Sequence, residues 1–182
     1  PQDPAVVTVG SFIAGAKHNV IPDDAKLLIT VRSYSDTTRR NLLAGIARIA
    51  RGEGIAAGLP EERLPVVTVD SNYTPATFNS PDFSDQIGGV LTAHFGANRV
   101  EKVHASMGGE DFGRYYRADN TIHSLIFWVG GVPKDKMAAA KAGKVSLPSL
   151  HSAYWAPEAD AVVGTGARAL TVAALDILKK AH

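Results

Sequence analysis

The chain has 182 residues, 45% of them hydrophobic and 20% charged, with a formal net charge of +1. That composition is an ordinary soluble one and suits one large domain or two small ones built around a packed core; it does not fix the compartment. It shows no Lys/Arg block to mark a nucleic-acid surface and no apolar run near the roughly 20 residues of a membrane span. It has no cysteine, which excludes disulfides, Cys-ligated zinc and a thiol nucleophile within these residues.

The opening PQDPAVVTV does not read as a signal peptide. Residues 5–13, AVVTVGSFI, are rich in β-branched side chains and predict a strand. Residues 25–34, AKLLITVRSY, alternate. Leu27, Ile29 and Val31 fall on one face, expected to pack on helices. Lys26, Leu28, Thr30, Arg32 and Tyr34 fall on the other, expected to be partly wet. Ser35 or Asp36 can cap the helix that follows. Leu42, Leu43, Ile46, Ile49 and Ala50 give it an apolar stripe, and the glycines at 52 and 54 are expected to end it. Residues 64–73 predict another strand, so the first part reads β-β-α-β.

A linker, TPATFNSPDF, carries Pro75 and Pro81 and marks the expected domain boundary. Residues 82–95 predict a helix, 99–104 a short strand, and 124–131, SLIFWVGG, a strand buried on both faces. Residues 133–150 read as a long polar loop with one helical turn. Pro157 opens a final helix, whose predicted buried stripe is Val163, Ala167, Leu170, Ala174 and Ile177. Lys179 and Lys180 suit its C-terminal dipole.

A β-β-α-β order is what remains of a split β-α-β-β-α-β sandwich once its first strand and helix are removed. The missing strand is central in that fold, and a sheet without it leaves unpaired edges in its middle. The chain is therefore expected to begin partway into a domain and not to be an autonomous enzyme.

The common catalytic signatures, G-x-S-x-G, H-E-x-x-H and the P-loop, are absent from the sequence. GTGARA (164–169) is a fragment of a nucleotide-binding fingerprint inside a helical pattern, where small residues serve packing. His151, in the Pro- and Ser-rich stretch SLPSLHSAYW, is either a metal ligand aimed by a rigid loop or a packing histidine beside Tyr154 and Trp155. In SMGGEDF, Gly108 and Gly109 let backbone approach a ligand or another loop. Glu110 and Asp111 either cap a short helix or border a site, and adjacent carboxylates in a helix point in different directions. His18 and Asn19 sit in a turn, where Asn tolerates left-handed geometry. Arg32 is either a solvated charge on a sheet or a binding group. His94, His104, His123 and His182 have no partner at ligand spacing.

In order, DPAVVTVGSFIAGAKHNVIPDDAKLLITVRSYSD, YTPATFNSPDF, SMGGEDFGRYY and LHSAYWAPEADAVVGTGARAL resemble the M20 metallopeptidase and amidohydrolase family. The closest likeness is to the group acting on N-acyl amino acids, hippurate and indoleacetyl–amino acid conjugates. The resemblance implies a mixed α/β fold with residues 1–74 as the second part of a ferredoxin-like lid that makes a homodimer. Residues 75–182 would be the C-terminal part of a zinc-peptidase-like catalytic domain, and an upstream half would complete both. It implies two divalent ions (zinc, manganese, cobalt or nickel) that activate water against a small amide substrate, with His151 as one ligand. Asn19 and Arg32 match lid residues that hold the substrate's carboxylate or carbonyl oxygen, with His18 beside them, and loop 108–111 borders the site. The other ligands and the general-base glutamate are expected outside these residues. A dipeptidase or aminoacylase of the same family is one alternative; a dimerisation scaffold that binds no metal by itself is another.

Overall fold

The structure is a computed structural model that describes residues 3–179. Lys180 and His182, named above, lie outside the described residues. In chain order the elements are β1 (Ala5–Ala14), β2 (Ala25–Ser33), α1 (Asp36–Ala56), α2 (Pro81–Phe95), α3 (Gly113–Ala118), α4 (Lys134–Lys141) and α5 (Ala159–Lys179), with one 3-10 turn at Glu61–Arg63. The chain is thus mixed α/β, and it forms two compact units: Pro1–Phe78 with His104–Ile122, and Asn79–Val103 with His123–His182.

In the first unit β1 and β2 pair antiparallel, from Ala5 opposite Ser33 to Ala14 opposite Ala25. A bulge between Val9 and Ser11 shifts the register at Gly10. Gly15 leaves β1 at a φ of 68°, a conformation that glycine adopts without strain. Helix α1 packs against β2 and leaves Val31 half-buried, but Leu27 and Ile29, expected to be covered, stay exposed. One helix over a two-stranded sheet is too little cover for a whole face.

Ser35 caps α1: its Oγ accepts from the Thr38 N–H at 3.1 Å, and the hydroxyls of Ser35 and Thr38 both donate to Asp3 at 3.1 Å. The helix runs through Gly52 and Gly54 to Ala56, correcting the expected stop at those glycines. Gly54 is instead a packing residue. A Cβ there would lie 2.6 Å from Pro65 Cδ, so only glycine lets the chain cross the helix at this point. Gly54→Ala is expected to lower the midpoint of urea unfolding, whereas Gly52→Ala, with open space around its Cα, is expected to raise it slightly.

The core of the second unit is Ile87 and Leu91 of α2 against Ala169 and Ala173 of α5, flanked by Phe83, Phe95, Val100, Leu125 and Phe127. The α5 stripe predicted from sequence is corrected here: Val163, Ala167, Leu170, Ala174 and Ile177 are all exposed, Leu170 at 62%. The buried line is Ala169 and Ala173, with Val162 half-buried, displaced by one residue. Small alanines let the α2 and α5 backbones come close and leave the void to Ile87, which is 1% exposed. Gln86 donates to Asp176 at 2.7 Å across the same seam. Ile87→Ala is expected to destabilise this unit by about 2–5 kcal/mol in a denaturant titration. By length and a mean hydropathy of 1.5, α5 is also long and apolar enough to cross a membrane, against the reading of the sequence above. A core helix passes the same test when it is mostly buried, whereas 11% of this window is; α5 also carries Arg168 and Asp176 within its length.

Residues 64–73, 99–104 and 124–131, predicted as strands, form no strand in the structure. A strand exists only by ladder bonds to a neighbour, and among the described residues the only ladder is that of β1 with β2. For 124–131 a side chain stands in for part of the ladder. The Asn79 amide both donates to Ile126 O and accepts from Ile126 N–H, each at 2.9 Å, while the Ser80 N–H donates to Ser124 O at 2.8 Å. Burial along the segment alternates: Leu125, Phe127 and Val129 are half-buried, while Ile126 and Trp128 face out, Trp128 at 71%. The expectation of burial on both faces is therefore corrected to one.

Candidate active site

His18 and Asn19 lie in the turn joining β1 to β2, closed by the Val20 N–H donating to Lys17 O at 3.4 Å, and both are exposed. Arg32 stands near the far end of β2, on the polar face that alternation assigns to it. Its guanidinium does not simply reach into water. Nη1 donates to Met107 O at 2.8 Å, which joins β2 to the SMGGEDF loop. A guanidinium has five N–H donors, and four are left for a ligand.

The loop is held from several sides. The Gly108 N–H donates to Ser106 Oγ at 3.2 Å, and the Thr77 hydroxyl to Glu110 O at 3.4 Å. The Glu110 carboxylate accepts from the Phe112 N–H at 3.0 Å, the contact expected of a residue starting a short helix. Gly109 is open, with nothing in reach of a Cβ, and Asp111 is exposed. Gly113, not singled out in the sequence, begins α3. A Cβ there would fall 2.8 Å from Ala76 O and Thr77 Cα, so glycine is required for the helix to lie on residues 76–77.

Sequence reading also missed the ion pair that ends α3. Arg117 forms a two-pronged pair with Asp36, the first residue of α1, with Nη1 donating to Oδ2 at 3.0 Å and Nη2 to Oδ1. Asp36 read only as a possible cap. No periodicity announces a partner 81 residues away. Nearby, Arg114 donates to Asn72 Oδ1 at 3.0 Å and to Tyr73 O at 2.8 Å, and the Arg39 guanidinium lies 3.7 Å from the Tyr73 ring centre. Tyr34, Asp36, Thr77, Phe78, Tyr116 and Arg117 line a half-open cavity of about 460 Å³ in this unit.

The hydrogen bond from Arg117 holds the Asp36 carboxyl below its ordinary value, aided by the charges of Arg117, Arg40 and Arg39 and opposed by desolvation. A lowered carboxyl contributes stability above its unfolded pKa of about 3.9 and loses it as pH falls through the folded value. The pair is therefore expected to be complete at neutral pH and to release α3 only in acid, below about pH 4, as read by loss of amide protection in α3.

His151 belongs to the second unit. It sits exposed in a run of tight turns where the Ser152 N–H donates to Ser149 O at 3.0 Å and the Trp155 N–H to Ser152 O at 3.0 Å. The Tyr154 N–H adds a bond to Ser152 Oγ at 3.1 Å. Those bonds fix the backbone without using the imidazole of the exposed His151. Among the described residues no three His, Asp or Glu side chains gather as a self-contained metal site would require.

No family model matches the chain. It is 32% identical over 132 residues to N-acetyldiaminopimelate deacetylase of Shouchella clausii, covering 71% of this chain and 32% of that protein. It is 32% identical over 128 residues to hippurate hydrolase of Campylobacter jejuni, covering 69% and 32%. The crystal structure of the Bacillus subtilis YXEP protein, described as a dinuclear metal-binding peptidase of the M20 family, matches 96% of this chain and 42% of its own, at 25% identity and a TM-score of 0.61. The chain spans about a third of the length of those curated relatives. Sequence and fold together make it a relative of the M20 family of amide-cleaving hydrolases, matched over part of their length.

Proposed function

We propose that these residues are one side of the active site of a metal-dependent amidohydrolase that cleaves N-acyl amino acids. The observation that carries the reading is Arg32, anchored to Met107 O by one donor and open at the rest. A guanidinium so fixed can meet a substrate carboxylate as a two-pronged fork, which a mobile lysine cannot. Asn19, with His18 beside it, can donate to the oxygen on which charge develops as the amide is attacked. His151, on a backbone fixed by its turns, is suited to hold one metal through an imidazole nitrogen.

In this reading residues 1–74 belong to a lid that pairs two copies of the protein, and 75–182 belong to the catalytic domain. The general-base glutamate and the other metal ligands come from residues outside these 182. A divalent pair held there would supply a water of lowered pKa. The relatives named for a deacetylase and a hippurate hydrolase support an N-acylated amino acid as the substrate class.

The test is metal analysis and hydrolysis of a panel of N-acyl amino acids by the full-length protein. Tight binding of about two divalent ions per subunit with turnover of the panel is expected. A protein that binds metal yet hydrolyses only dipeptides would reassign it as a dipeptidase. Because no three ligands gather among the described residues, residues 1–182 alone are expected to bind metal weakly and to be inactive. Tight metal binding by that chain would refute a site whose ligands come mostly from outside it.

A further inference from the structure

The helix α3 has six residues, too few to persist without outside support. Its support comes from one side. Gly113 lies on residues 76–77, Arg114 grips Asn72 and Tyr73, and Arg117 closes a fork on Asp36. Asp36 stands four positions after Arg32, across the Ser35 cap. The loop between Met107 and α3 contains Gly108 and Gly109, which impose little shape of their own. Its course is set by the Met107 carbonyl on Arg32, by α3 on Asp36, and between them by the Thr77 hydroxyl on the Glu110 carbonyl.

We propose that Asp36 and Arg117 are positioning residues, whose ion pair braces α3 so that loop 106–112 keeps its Met107 carbonyl on Arg32 and orients that guanidinium for a substrate carboxylate. The inference rests on the function proposed above. Exposed ion pairs contribute little to stability, and the side chains of Asp36 and Arg117 are 46% and 37% exposed. A pair kept for stability alone would thus be a weak device. A pair that sets the angle of a guanidinium has a larger lever, since the two-pronged bond to a carboxylate depends on that angle. The brace also predicts selectivity: its loss should be felt by substrates that present a carboxylate and not by those that lack one.

The experiment compares the full-length protein with its Asp36→Asn, Asp36→Glu and Arg117→Gln variants on N-benzoylglycine and on N-benzoylglycinamide. Exchange of the Gly108 and Phe112 amides is followed in parallel. For Asp36→Asn and Arg117→Gln, KM for the carboxylate is expected to rise about tenfold with kcat within about twofold, and KM for the amide to stay put. Both amides are expected to exchange faster, while those of Ile87 and Leu91 in the other unit are unchanged. Asp36→Glu, which keeps the carboxylate, should restore both readings. Equal losses on the two substrates, or unchanged exchange at Gly108 and Phe112, overturn the proposal, as does a failure of Asp36→Glu to restore either. If the unaltered protein hydrolyses neither compound while exchange still responds to Asp36→Asn and recovers in Asp36→Glu, the function proposed above falls and the brace on the loop stands.

Discussion

Replacing His151 by alanine in the full-length protein is expected to remove one metal ligand and lower kcat at least about 100-fold, since even a group behind the ligands is worth about 10–100-fold. The fold should survive. His151 is exposed, and the turns around it are made by backbone and by Ser152, not by the imidazole. Melting temperature and circular dichroism should therefore match the unaltered protein while metal content falls. Full metal content with near-normal turnover would return His151 to the class of ordinary loop histidines.

The Arg32→Lys variant should behave differently. Lysine keeps the positive charge and can still reach a carbonyl such as that of Met107, but it cannot present a fork. Loss of a charge-assisted contact worth about 1.5–3 kcal/mol lowers kcat/KM about 10- to 150-fold for N-acyl amino acids. Neutral analogues without the carboxylate should lose little. Losses of equal size on both would show that Arg32 anchors the loop and does not clamp the substrate.

Local chemistry made part of this molecule readable. Alternation and β-branching predicted β1 and β2, the serine before Asp36 predicted the start of α1, and Pro81 lies at the start of α2. The same local signals failed where a neighbour decides the outcome. Residues 64–73 carry the β-branched run of a strand, but among the described residues no strand pairs with them. The periodicity of α5 pointed to the stripe with Leu170, and the close approach of α2 buries instead the adjacent line of Ala169 and Ala173. At the site, Arg32 was legible as a charge on the wet face of a strand, and His151 as a histidine in a constrained loop. The bond from Arg32 to Met107 and the pair of Asp36 with Arg117 were not legible. They join positions 75 and 81 residues apart, and nothing in either neighbourhood encodes the other.

That separation has a consequence for the order of folding. The β1–β2 hairpin and α1 close on near neighbours and can form early, because short loops lose little entropy on closure. The segment His104–Ile122 returns to the first unit only after the chain has passed through Asn79–Val103 of the second. Its docking must await the synthesis of those residues and the closing of a long loop. What docks last by few contacts also opens first. Brief treatment of the native protein with protease should therefore nick the chain near Gly108 and Gly109 well before any cut appears in α1 or α2.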